Sequence, residues 1–141
     1  LQPSMSAAGV ADAAIEAIGS PAPPDFICLN FANPDMVGHT GVFDAVVAAC
    51  EETDLQLKRV LNAGQSAGYS ILVIADHGNA ELARNPDGTP HTAHTTNLVP
   101  VVVLAEGVDA IREGVLADVA PTLLELMGLQ TPDEMTGGSL L

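Results

Sequence analysis

Hydrophobic positions along the chain follow two different periods. Between residues 6 and 18, Val10, Ala14, Ile15 and Ile18 recur at helical spacing, and Gly19-Ser20-Pro21 closes the segment. A longer helical pattern runs over 42–67. There Val46, Cys50, Leu57, Val60 and Leu61 share one face, Glu51, Glu52, Lys58 and Arg59 fall elsewhere, and Gly68 supplies a stop. A last helix is predicted near 118–127, ending at Gly128. Three short apolar runs read instead as buried strands: 26–31 (FICLNF), 70–75 (SILVIA) and 101–104 (VVVL). Strand 26–31, helix 42–67 and strand 70–75 form a βαβ unit, so the two strands are expected to be parallel with a right-handed crossover. The pattern as a whole predicts an α/β fold, a mostly parallel sheet flanked by helices, in a single unit over 1–141.

The ends of these strands are polar and rich in turns. After 26–31 comes Asn33-Pro34-Asp35-Met36-Val37-Gly38-His39-Thr40-Gly41, and after 70–75 comes Asp76-His77-Gly78-Asn79. Asn85-Pro86-Asp87-Gly88 is a turn signal, and His91-Thr92-Ala93-His94-Thr95-Thr96-Asn97 leads into 101–104. Every histidine of the chain falls in these loops: His39, His77, His91 and His94. In open α/β sheets the carboxyl ends of the strands are where ligands bind. A parallel sheet would bring the first two loops to one edge, and the third could fold over them.

Charge narrows the range of partners. With 18 acidic against 4 basic residues and a formal charge of −14, the chain is a poor partner for nucleic acid or an anionic membrane. Cys28 and Cys50 sit at apolar positions and read as buried thiols rather than a disulfide or zinc knuckle. No basic, then apolar, N-terminal segment suggests a signal peptide, and the longest apolar run, 98–105, is too short to span a bilayer. A cytoplasmic protein is expected. The opening Leu1-Gln2-Pro3, without an initiator Met, is compatible with a piece of a longer chain.

Aspartate and histidine without cysteine suit Mn²⁺, Zn²⁺ or Fe²⁺, ions that accept both oxygen and imidazole. Asp35 with His39, Asp76 with His77, and His91 with His94 are the candidate ligands. Two such ions can clamp a phosphoryl group and activate a nucleophile. Other chemistries lack their residues: there is no phosphate loop with its Lys, no serine elbow and no Cys/His dyad. Thr40 is read as a helix N-cap. Lys58, Arg59, Arg84 and Arg112 are the only cations apart from histidine, so the chain has little of its own with which to grip an anionic substrate.

The strings 33–41, Ala75-Asp76-His77-Gly78-Asn79 and Thr92-Ala93-His94-Thr95-Thr96-Asn97 resemble the cofactor-independent phosphoglycerate mutases of the alkaline phosphatase superfamily. Leu1-Gln2-Pro3-Ser4-Met5-Ser6-Ala7 and Met135-Thr136-Gly137 extend the resemblance over essentially the whole chain. It implies the C-terminal part of an alkaline phosphatase-like metal-binding domain, incomplete here. It further implies two Mn²⁺ sites: Asp35, His39 and His94 as the protein ligands of one ion, Asp76 and His77 as half of the other. His91 matches no ligand position, and some members carry Lys where Gly138 stands. The implied reaction interconverts 3- and 2-phosphoglycerate through a phosphoserine, but the nucleophilic serine and the substrate-gripping domain are not in this sequence. Readings as another phosphatase or phosphopentomutase of the superfamily, or as a non-catalytic metal-binding domain, stay open beside it.

Overall fold

A computed structural model of the chain describes residues 2–141; Leu1, part of the N-terminal string quoted above, lies outside the described residues. The chain divides into two compact units. One comprises the chain up to Gly68 together with His77–Val99, the other Tyr69–Asp76 with Pro100–Leu141.

The first unit is helical. Helix α1 spans Ala7–Ile18 and buries Ala7, Ala11, Ala14 and Ile18. This is the expected stripe shifted toward the alanines, with Val10 and Ile15 half-buried at its edge. The small side chains bring α1 close against α3, which spans Phe43–Ser66 and buries Val46, Ala49, Gln56 and Gly64. Between them lies a six-residue helix, α2, over Asn33–Gly38. The sequence had suggested only a turn here. Pro34 in the first turn has no N–H to lose and a φ already suited to a helix, which explains the start. Val37, Val46 and Ala49 form the core between α2 and α3, with Ala45 and Ala80 packed on it. Asn33 is buried and its amide donates to the carbonyls of Pro3 (2.8 Å) and Ser4 (2.9 Å), so the N-terminal segment is tied to the start of α2.

The second unit holds the sheet. Strand β1, Ile71–Ile74, pairs antiparallel with β2, Val101–Leu104, in the register Ile71 opposite Leu104 and Ile74 opposite Val101. Among the described residues this is the whole sheet, so the mostly parallel sheet expected from sequence is not what the chain forms. The physical reason lies in the connections. Residues 26–31 have no regular secondary structure and, among the described residues, no ladder partner, and Phe26, Cys28 and Asn30 are exposed. The chain between β1 and β2 contains one 3-10 turn, Ala80–Leu82, and no long helix to serve as the crossover that parallel strands need. β1 is accordingly half-buried throughout rather than enclosed on both faces.

Helix α4, Val119–Leu126, follows a 3-10 turn at Leu116–Asp118 and ends where Gly128 adopts φ +69°, a conformation that favours glycine. The C-terminal tail is irregular but fastened. Leu140 N–H donates to Thr122 Oγ1 (2.9 Å), Thr122 Oγ1 donates to Asp118 O (2.7 Å), and Gly138 N–H donates to Asp118 Oδ1 (2.9 Å). Arg112 N–H donates to Leu140 O at 2.8 Å, and its guanidinium reaches Ser139 O. Both cysteines are exposed, correcting the buried thiols expected from their apolar neighbours. Cys28 lies in the unpaired 26–31 segment, and Cys50 falls just outside the packed stripe of α3. No described helix is long and apolar enough to cross a membrane.

Candidate metal centre

Three side chains from two elements of the first unit converge on one point. Asp35 stands in the first turn of α2, and His39 follows one turn later as that helix's C-terminal cap. The i, i+4 spacing puts both side chains on one face of the helix. His94 comes from the loop that precedes β2, held by a short antiparallel bridge in which Thr95 N–H donates to Gly78 O at 2.8 Å.

The ligand-capable atoms form a nearly equilateral triangle. Asp35 Oδ1 is 3.2 Å from His39 Nε2 and 3.1 Å from His94 Nε2, and the two imidazole nitrogens are 3.2 Å apart. Ligands about 2.1 Å from a shared ion, at tetrahedral to octahedral angles, stand about 3.0–3.4 Å from one another, so the triangle is the right size for a divalent cation. Its electrostatics agree. His39 Nδ1 is 2.7 Å from the carbonyl of Thr92, which can only accept, so Nδ1 carries the proton. In the neutral ring Nε2 then offers a lone pair toward Asp35 and His94. Lone pairs held this close repel unless a proton or a metal cation lies among them, and the same triangle can take either. The Thr92 carbonyl is the kind of outer partner that fixes the tautomer of a metal-ligating histidine. The three side chains are partly exposed, so the point is open to solvent. Among the described residues this is the one group of three His, Cys, Asp or Glu side chains so arranged.

The other sequence candidates divide. His77 is brought beside the triangle: its ring stacks on that of His94, with centroids 3.7 Å apart, and its Nε2 lies 4.0 Å from Asp35 Oδ1. Asp76, its neighbour in the chain, belongs to the second unit. His91 does not join the group; its backbone N–H donates to Ala83 O at 3.1 Å, and its buried Nδ1 meets no hydrogen-bond partner among the described residues. Thr40 does not cap α3 in the usual way, since that position is Val42. Its hydroxyl donates to Val37 O (2.6 Å) and accepts from Val42 N–H (3.3 Å), splicing α2 onto α3.

Several supporting residues escaped the sequence reading. Asn79, nearly buried, donates from Nδ2 to Asp35 Oδ1 at 3.1 Å. Glu81 accepts from Asn79 N–H at 2.6 Å with Oε2, and from Asn97 Nδ2 at 2.9 Å and the Thr95 hydroxyl with Oε1. These bonds, the one from Thr95 foremost, hold the Glu81 carboxyl below its ordinary value. Asn79, Thr95 and Asn97 lie inside the quoted strings, but nothing in their spacing distinguishes a support from a turn residue.

Asp and His presented from a helix face and a returning loop make a candidate site for a divalent metal ion. The profile of the Metalloenzyme superfamily matches residues 1–131, and the chain belongs to that superfamily. Within it, the chain is 52% identical over 141 residues to a 2,3-bisphosphoglycerate-independent phosphoglycerate mutase of Flavobacterium johnsoniae, covering 100% of this chain and 28% of that protein. It is 55% identical over 145 residues to one from Caenorhabditis elegans, covering 100% of this chain and 27% of that protein. A crystal structure of Leishmania mexicana phosphoglycerate mutase at low cobalt concentration superposes on 99% of this chain with a TM-score of 0.86 and 34% identity, using 28% of that chain. The chain thus spans under a third of the length of these relatives.

Proposed function

We propose that this chain is the C-terminal, metal-holding segment of the phosphatase-like domain of a cofactor-independent phosphoglycerate mutase, a cytoplasmic isomerase of glycolysis acting on 3- and 2-phosphoglycerate. The observation that carries the reading is the triangle of Asp35 Oδ1, His39 Nε2 and His94 Nε2, supplied by residues up to 59 positions apart and sized for one divalent ion. The identity of about half over the whole chain to named mutases supports the substrate class.

In this reading Asp35, His39 and His94 hold one Mn²⁺, while Asp76 and His77 contribute to a second whose other ligands lie outside this sequence. Bound there, the ions supply positive charge for the phosphoryl oxygens and lower the pKa of the attacking hydroxyl. The chain's own residues present the neutral Nε2 of His39, with Nδ1 fixed by Thr92 O, and hold the Asp35 carboxylate through Asn79. The serine that accepts the phosphoryl group and the cations that hold the glycerate come from the remainder of the longer protein. Scarcity of cations in this chain, four Lys and Arg in total, fits that division. The unpaired 26–31 segment is then an interior strand of a larger, mostly parallel sheet completed by the same remainder. The 141-residue chain alone has no mutase turnover.

The test is a mutase assay on the full-length protein with metal counted in parallel. His94→Ala should remove one ion and most of the activity. Full activity with unchanged metal content would refute the ligand assignment, and turnover of another phosphate ester in place of phosphoglycerate would refute the substrate.

A further inference from the structure

Two of the three proposed ligands are held by loops that a single carboxylate ties together. Glu81 sits in the 3-10 turn Ala80–Leu82 and uses its two oxygens for two separate segments. Oε2 accepts Asn79 N–H at 2.6 Å, and the side chain of that same Asn79 donates to Asp35 Oδ1 at 3.1 Å. Oε1 accepts from the Thr95 hydroxyl and, at 2.9 Å, from Asn97 Nδ2, the first being the residue directly after His94. A backbone bond from Thr95 N–H to Gly78 O runs alongside. The approach is so close at Gly78 that a Cβ there would overlap Thr95 Oγ1 and the Glu81 carboxylate.

We propose that Glu81 is a positioning residue for the metal centre: it sets the separation of Asp35 from His94 by fastening the Asn79 loop to the Thr95–Asn97 loop. The inference rests on Asp35, His39 and His94 being the metal ligands. Glu81 reaches no proposed ligand atom itself; it acts through Asn79 on one side and through Thr95 on the other. Three donors spread over both oxygens suit this role when the acceptor is an anion, because a carboxylate has acceptor sites on both oxygens and no proton to place. An amide at the same position keeps one acceptor and turns an N–H₂ group toward either Asn79 N–H or the Thr95–Asn97 pair, leaving donor facing donor. Outer partners of metal ligands typically change affinity about 10- to 100-fold when removed.

The experiment is a Co²⁺ titration of the full-length protein and its variants, followed through the visible d–d bands of the ion that His94→Ala removes, which report its ligand geometry. Glu81→Gln should weaken Co²⁺ binding about 10- to 100-fold and alter the band positions or intensities, while the far-ultraviolet circular dichroism without metal stays that of the parent. Because Glu81 acts through Thr95, the effects of Glu81→Gln and Thr95→Ala should combine to less than their product. Glu81→Asp, which keeps the charge, should recover part of the loss. Parent-like affinity and spectrum in both Glu81→Gln and Glu81→Ala, with that ion still lost in His94→Ala, would overturn the positioning role alone. Co²⁺ binding that His94→Ala leaves intact would overturn the ligand assignment, and the role of Glu81 with it.

Discussion

Replacing Gly38 by Ala tests how tightly the supports of the metal centre are packed. A Cβ at Gly38 would fall on Asn79 Oδ1, well inside contact distance, and 2.8 Å from Asn79 Cγ. Asn79 is only 6% exposed and cannot swing freely into solvent. To clear a real Cβ its amide must retreat by more than an ångström, which breaks the 3.1 Å bond from Nδ2 to Asp35. A hydrogen bond to a charged group contributes about 1.5–3 kcal/mol, and overpacking adds a further cost of about 1–3 kcal/mol. Against this stand the gain of about 0.5–1 kcal/mol from replacing a helical glycine and the partial exposure of Asp35. The net expectation is a loss of about 1–3 kcal/mol. Urea denaturation measures it directly, and Gly9→Ala is the internal control: a Cβ at Gly9, inside α1, meets nothing within 4 Å. That change should stabilise by about 0.5–1 kcal/mol. The pair Gly38→Ala with Asn79→Ala should be no less stable than Asn79→Ala alone, since the obstacle is gone. A Gly38→Ala chain as stable as the parent, or a double variant in which the two losses simply add, would refute the reasoning.

Two further outcomes follow from the second unit. A Cβ at Gly137 would overlap the backbone carbonyl of Ala117, lying 2.6 Å from its carbon, so Gly137→Ala should loosen the tail and lower the thermal midpoint, read by calorimetry, by several degrees. The Asp118 carboxyl is held below its ordinary value of 3.8 by the N–H groups of Val115 and then Gly138. A lowered folded-state pKa stabilises above the unfolded value and loses that contribution as pH falls through the folded one. Stability of the parent should therefore decline as pH drops below 3.8, and Asp118→Asn should flatten that part of the acid-unfolding curve; an unchanged acid limb would show that the two bonds do not matter.

Helices proved readable because their signal is local. The apolar period over 6–18 and 42–67 located α1 and α3 to within a residue, and Gly128 marked the end of α4. Strand pairing was not readable, because a strand's partner is not encoded in its own residues. The run 26–31 has the composition of a buried strand yet finds no partner among the described residues, while β1 pairs with β2 in the orientation that its connection permits. Cys28 was misjudged for the same reason, its apolar neighbours implying a burial that this chain alone does not provide. The Asp and His candidates stood out since few residue types can ligate a metal and all the histidines fell in three loops. Their supports did not: Asn79, Glu81, Thr92 O and Thr95 act through hydrogen bonds across as many as 53 residues, which no periodicity announces.

The central claim is that Asp35, His39 and His94 form a divalent-metal site, and a Mn²⁺ titration of the chain at neutral pH beside His94→Ala tests it most directly. Saturable binding of one ion in the parent, lost in the variant, is the predicted result. Binding that survives His94→Ala unchanged would contradict it.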